Sequence, residues 1–440
     1  MSTSDRHAIV VVDLAFGDCG KGAIIDYLAR EHGAHTVVRF NGGPQAGHNV
    51  VTPDGRHHTF SQFGSATFLP RVRTLLSHFM LIEPYAMLNE AAHLREVGVP
   101  DAMERLFIDE RCPVITPVHQ AANRIRELSR GAAAHGTCGL GVGETTRDVI
   151  HRPERLIRAG DLHDRAIVRE KLRLLRAKYL ASLASHISAL AHERGARHSL
   201  ETLRDASWFD AAIDNYAEVA RRAHIVSPDA SRSMLRDTGT TIFEGAQGVL
   251  LDETFGFHPY TTWSDTTFAN ATALLDDARF DGRRTRLGVL RAYFTRHGPG
   301  PFVTEDPSLR ERLPEPHNVD VGWQGPFRVG VFDAVAARYA ISVAGPIDGL
   351  ALTHLDRVDR LPPNVCTAYT ASAGRTINVL PRDGSPKLTD LIRSCRPNLV
   401  RLSECSEPAL RSEIEPALSL PVMIRSFGPT AHEKVQTLNR

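Results

Sequence analysis

Three things are scarce in this sequence, and each absence removes a class of protein. Its six cysteines (Cys19, Cys112, Cys138, Cys366, Cys395, Cys405) are scattered over 440 residues with no CxxC pair. That argues against a disulfide frame or a zinc site and for a reducing, cytoplasmic setting. An excess of one charge is lacking too: 52 Lys+Arg stand against 51 Asp+Glu. Neither nucleic acid nor an anionic membrane is then expected as the main partner. No apolar run reaches the roughly eighteen residues a membrane span needs, and the opening MSTSDRHAIV carries no long apolar segment. No secretory signal is expected. Internal repeats and low-complexity stretches are also missing. What remains is 42% hydrophobic, enough for a sizeable core, so a globular, cytosolic protein is predicted.

The most informative stretch runs from Ile9 to Asn49. Ile9-Val10-Val11-Val12 reads as a buried parallel strand. The glycine loop Gly17-Asp18-Cys19-Gly20-Lys21-Gly22 follows, and Ile24, Ile25, Tyr27 and Leu28 then give a helix an apolar face. Strand, glycine loop and helix in that order leave bare N–H groups at a helix N-terminus, which suits a phosphate. Lys21 adds positive charge there, and Asp18 adds a carboxylate able to hold Mg²⁺ or take a proton. The spacing is not that of a Walker A loop. A second strand, Thr36-Val37-Val38-Arg39-Phe40, leads into a second glycine loop, Gly42-Gly43-Pro44-Gln45-Ala46-Gly47-His48. An Asp on one loop and a His on the other read as two walls of one catalytic pocket.

Beyond this stretch, short apolar runs alternate with helix patterns, as in Pro84–Glu96 and Leu106–Ile108, which points to a parallel sheet with crossover helices. A third glycine-rich loop spans Gly136–Gly143. Leu172, Leu175, Tyr179, Leu183, Ile187 and Leu190 recur at helical spacing, so residues 164–235 are predicted to be a helical insertion within a single domain of residues 1–440. Strand signals return at Thr241–Phe243, Leu287–Leu290, Gly349–Leu355, Val365–Tyr369 and Pro421–Arg425. In an open parallel sheet ligands gather at the carboxyl ends of strands, and motifs follow each of these runs.

GDCGKG followed by VVRFNGGPQAGHN resembles the adenylosuccinate synthetase family, whose signature is a GDEGKGK loop and then a GGHNAGHT loop. Further matches come in order: Phe243–Gly248, Pro259–Thr262, Ala292–Arg296, Leu352–Asp356 and Ser426–Pro429. The resemblance runs from about residue 8 to 430 and implies an α/β fold, with a large, mostly parallel central sheet of the P-loop NTPase-like kind. It implies a ligase that phosphorylates O6 of a 6-oxopurine nucleotide with GTP (ATP being the alternative) and displaces the phosphate with aspartate. By the same resemblance Asp18, His48 and Lys21 are catalytic. Gly17, Asp18, Cys19, Gly20, Lys21, Gly22 and Ala23, with His354, Asp356, Ser426 and Gly428, would bind the triphosphate. Asp18 and the Gly47 carbonyl would hold Mg²⁺. Gln45, Cys138, Gln247 and Thr262 would hold the acceptor nucleotide, joined by Arg152 from the second subunit of a homodimer.

The clearest departure lies in Val321–Gly330. There the family's arginine-dense loop, which grips aspartate, is reduced to Arg328. Cys138, Leu140 and Pro44 stand where the family has threonine, arginine and histidine, and His354 replaces a lysine. These changes resemble the phage branch that acts on dGMP to give a 2-aminoadenine precursor, whereas the retained Asp18 favours IMP. A nucleotide-binding paralogue without catalysis, or a phosphotransferase that stops at phosphorylation, are the readings outside the ligase class.

Overall fold

The computed structural model describes residues 5–131, 134–315, 323, 325–372 and 374–437. Ten strands make the central sheet: β1 (Arg6–Asp13), β2 (Thr36–Arg39), β3 (Arg73–Leu76), β4 (Leu106–Asp109), β5 (His224–Val226), β6 (Gly239–Glu244), β7 (Arg283–Arg291), β8 (Gly349–Thr353), β9 (Val422–Ser426) and β10 (Lys434–Gln436). Their spatial order is β10-β9-β8-β7-β1-β6-β2-β3-β4-β5. Every adjacent pair is parallel except β9 and β10. The β-branched run of β1 is central because both its faces are covered: Ala8 through Val12 are at most 3% exposed. Helix α1 (Lys21–Glu31) lies on one face through Ile24, Ile25 and Leu28.

Elsewhere the predicted elements meet three-dimensional constraints. The helix over Pro84–Glu96 forms with those ends, started by the Glu83 carboxylate accepting from the Tyr85 and Ala86 amides. The apolar stripe folds into Arg165–Ser182, Ala184–Ala189, Arg197–Arg204 and Phe209–Arg222, with Leu172, Leu175, Tyr179 and Leu183 at most 1% exposed. The chain then rejoins the sheet at β5, where Ile225 sits in register with Ile108. Val365–Tyr369 does form a strand, but outside the central sheet. It lies within Asn364–Thr370, parallel to Phe332–Asp333 and antiparallel to Arg396–Arg401 in a small side sheet. A short apolar run cannot say which sheet it will join. Among the described residues no helix is long and apolar enough to cross a membrane.

Candidate active site

The site is built at the carboxyl ends of the central strands. β1 ends in Asp13, a residue the sequence reading passed over. Its carboxylate is 1% exposed. One oxygen accepts from the Ala15 and Gly17 amides at 2.9 and 3.2 Å, the other from the Cys19 amide and Lys21 Nζ, each at 3.0 Å. The glycine loop therefore curls around a buried anion of the chain itself. Gly20 closes it in the left-handed region, and α1 starts with no side-chain cap. The first-turn amides of α1, Gly22 and Ala23 among them, thus lack a capping partner, the arrangement that receives a phosphate.

Lys21 is only 3% exposed, and besides Asp13 it donates to the Gln247 carbonyl at 2.9 Å. Asp18 stands on the outer side of the loop at a left-handed φ of 58°, its side chain 34% exposed. His297 Nε2 lies 3.4 Å from its carboxylate. Burial pushes the Asp18 pKa up, but the hydrogen bond and charge of His297, with Arg291 and Lys21, outweigh it and hold the group below its ordinary value. Asp18 is a carboxylate at neutral pH. His297 thus faces Asp18, and the sequence analysis, whose match ended at Arg296, did not name it.

The second glycine loop leads into a hairpin of His48–Val51 with His57–Phe60. A Cβ on Gly22 would come within 2.8 Å of the Asn49 carbonyl and 3.0 Å of the His48 Cβ, so only glycine lets α1 run this close to the hairpin. The start of α1 and the hairpin that carries His48 therefore pack directly against each other. His48 is 6% exposed, and its Nδ1 lies 2.5 Å from Glu244 at the end of β6. Burial lowers the His48 pKa, against the opposing pull of Glu244. Burial alone would raise Glu244, but the charge of Arg39 and the bonds from His48 and Ser65 bring it down to about 2. The neutral imidazole thus donates from Nδ1 to an ionised Glu244, and Nε2 is buried without a protein partner.

Of the residues expected on the acceptor side, Gln45 and Gln247 come close together, at Gly42. Both amide atoms of Gln45 and the Oε1 of Gln247 are buried and unpartnered. The space a Cβ on Gly42 would enter lies 3.8 Å from Gln45 Nε2 and 3.7 Å from Gln247 Oε1. Gln247 is held in the left-handed region at φ 62°. Asn41 joins the two segments, donating to the Ala246 and Asp265 carbonyls and accepting from the Ala246 amide. Thr262 is half-buried, its amide bonded to the Leu251 carbonyl at 2.7 Å. Cys138 is half-buried in the third glycine loop, its thiol pKa raised by burial. Arg152 is exposed at the end of the helix Val142–His151. Pro44 and Leu140, two of the residues that depart from the family pattern, line one open cleft of about 330 Å³ with Thr59, Asn89 and Gln120.

On the triphosphate side, His354 adopts φ 57° and lies over the first loop, its Cε1 3.5 Å from where a Gly20 Cβ would stand. Burial and the charges of Arg291, Arg357 and Lys434 drive its pKa well down, so it cannot supply the positive charge of a lysine. Asp356 is exposed. Ser426 Oγ donates to the Gly428 carbonyl, and Lys434 Nζ donates to the Gly428 and Thr430 carbonyls, tying that loop down. Burial lowers the Lys434 pKa to about 8. Gly47 is exposed beside His48.

Arg328 is engaged within the chain itself. Its guanidinium forms a bidentate pair with Glu305, donates to the Gly298 and Gly300 carbonyls and lies over Phe302. Every nitrogen is engaged, so it offers no free fork to an incoming carboxylate. Of the altered loop around it, Val321, Gly322 and Gln324 lie outside the described residues. Trp323 packs on the third glycine loop, 2.9 Å from where a Gly139 Cβ would be.

Known proteins are similar to this chain in sequence and in fold. The model of the adenylosuccinate synthetase family matches residues 10–426. The adenylosuccinate synthetase of Photobacterium profundum is 34% identical over 449 aligned positions, covering 97% of both chains. That of Neisseria meningitidis is 32% identical, covering 97% of this chain and 98% of the other. In fold, the fully ligated Plasmodium falciparum enzyme aligns with a TM-score of 0.80 at 21% identity, covering 98% of this chain and 99% of that one. The cyanophage S-2L succinoaminodeoxyadenylate synthetase aligns at 0.62 and 20%, covering 99% and 96%. With residues 10–426 matched by the family model and relatives more than 30% identical over 97% of its length, this chain belongs to the adenylosuccinate synthetase family of C–N bond-forming ligases.

Proposed function

We propose that the enzyme joins L-aspartate to C6 of IMP with GTP as energy donor, giving adenylosuccinate, GDP and phosphate. One observation carries the reading. His48 Nε2 and the Gln45 amide, on the second glycine loop, and Gln247 Oε1, on the segment whose backbone carbonyl Lys21 grips, are all buried without partners. Buried polar atoms are nearly always satisfied, so these three support a polar ligand between the second glycine loop and the Gln247 segment. Asp18, ionised, takes the N1 proton of the purine, and O6 then attacks the γ-phosphorus as GDP departs. The developing charge meets the α1 amides and the remaining donor of Lys21. His48 Nε2 begins as an acceptor. An arriving phosphoryl group raises its pKa and turns it into a donor, with Glu244 holding the imidazolium. Aspartate nitrogen then attacks C6, and phosphate leaves.

Asp18 and the Gly47 carbonyl suit Mg²⁺, which takes one or two protein oxygens and completes its shell with phosphate and water. Both groups are open to such a ligand, and the ion would neutralise triphosphate charge. Asp356 can accept from both N1–H and the 2-amino group of guanine, which adenine does not offer. This supports GTP over ATP. Arg152 is exposed and, among the described residues, has no side-chain partner, in keeping with service to the neighbouring site of a homodimer.

A second reading keeps this chemistry and moves it to dGMP. It draws on the engaged Arg328 and on Pro44 and Leu140 lining one cleft, and the solved cyanophage enzyme was bound to dGMP and dATP. Incubating the protein with Mg²⁺, GTP or ATP, aspartate and each of IMP, GMP and dGMP, then reading product masses, decides between them. A succinylated product from IMP with GTP is expected. GTP hydrolysis or acceptor phosphorylation unchanged by aspartate would refute the ligase.

A further inference from the structure

The buried carboxylate at the end of β1 has no part in the reaction just described, yet four donors of the first loop and α1 converge on it. A carboxylate offers about four acceptor positions, and Asp13 fills them with the amides of Ala15, Gly17 and Cys19 and the ammonium of Lys21. It has no lone pair left for a proton or a metal. Lys21 then passes the connection on: its Nζ donates to the backbone carbonyl of Gln247, across to the segment that carries the acceptor-side amide. Gln247 sits at φ 62°, a backbone conformation costly for a residue with a side chain unless its surroundings hold it.

We propose that Asp13 is a positioning residue that couples the two nucleotide subsites, fixing the triphosphate loop through its amides and the acceptor-side Gln247 through Lys21. The proposal rests on the reading of Gln247 as an acceptor contact. Three loop amides are committed to Asp13, so an incoming phosphate meets only the α1 N-terminus and the third donor of Lys21. The loop needs no ligand to take its shape. Without the Asp13 charge, Lys21 is a cation 3% exposed beside a neutral partner, an unfavourable state that it escapes by moving and letting go of the Gln247 carbonyl. Damage at Asp13 should then reach the acceptor as well as the triphosphate.

The test is steady-state kinetics on Asp13→Asn, Lys21→Met and the double variant, with each KM determined separately and folding checked by circular dichroism and thermal melting. Asparagine retains one acceptor oxygen but turns an N–H toward donors. Losing charge-assisted bonds of this kind predicts a rise of about 10- to 100-fold in both KM values, with kcat falling less. If Asp13 reaches Gln247 through Lys21, the double variant has the acceptor KM of Lys21→Met and no more. An acceptor KM for Asp13→Asn within twofold of wild type, or fully additive effects in the double variant, overturns the coupling while leaving the ligase assignment intact. Absence of turnover by the wild type with every acceptor sinks both. Should Asp13→Asn not fold, Lys21→Met alone decides: it keeps Asp13 and cuts the link, so unchanged acceptor binding by equilibrium titration overturns the proposal.

Discussion

Asp18 and His48 reach their working protonation states by opposite means. Asp18 is kept ionised, against desolvation, by the His297 hydrogen bond and the positive charges of Arg291 and Lys21. His48 is kept neutral by burial in spite of the Glu244 carboxylate at its Nδ1. A proton acceptor and an uncharged imidazole thus coexist near neutral pH. Asp18→Asn should remove the proton acceptor and lower kcat by about 10²- to 10⁴-fold, leaving triphosphate binding measured by titration largely intact; an active variant would refute the role. Glu244 gives a pH signature. Its folded pKa of about 2 lies below its ordinary 4.5, so the folded state gains stability above pH 4.5 and loses it as pH falls toward 2. Wild type should therefore exceed Glu244→Gln in Tm at neutral pH, and the gap should narrow steadily as melts are run from pH 5 down to 3.

Among elements, the loops after β1 and β6 act as one body because at Gly248 backbone meets backbone with no side chain between. Gly248 shows this best: a Cβ there would lie 2.2 Å from the Ala15 carbonyl and 2.3 Å from the Gly17 amide. Neither is the end of a flexible side chain, so both loops would have to shift. Gly248→Ala should destabilise by about 1–3 kcal/mol and cut kcat/KM at least about tenfold, readable as a lower Tm together with raised KM values. The strand–loop–helix order around Asp18 was legible in the sequence, because β-branched residues, glycines and an amphipathic run each have a local signature. The packing of the Gly248 segment on that loop was not. It depends on β6 lying beside β1, a contact between residues more than two hundred positions apart.

For the whole molecule, the decisive question is whether one chain completes its own site. Arg152 lies exposed at a helix end, and in a twofold dimer such a residue can serve the partner's site reciprocally. Arg152→Ala and Asp18→Asn should each be nearly inactive alone. Mixed and allowed to exchange subunits, they should recover activity, because the hybrid dimer has one site with Asp18 from one chain and Arg152 from the other. Random exchange makes that about a quarter of all sites. No recovery, with exchange confirmed by native mass spectrometry, would place Arg152 outside the partner's site.

By itself the sequence determined the fold class, the two glycine loops, the Asp–Lys–His set and the family, since all of these are written as short-range patterns of residue type. Only the tertiary structure decided which charges each group meets. That Asp13 anchors the loop, that Glu244 partners His48, that His297 faces Asp18 and that Glu305 occupies Arg328 follow from strand order and loop packing. Electrostatic partners are chosen by distance in space, and a linear pattern carries distance only along the chain.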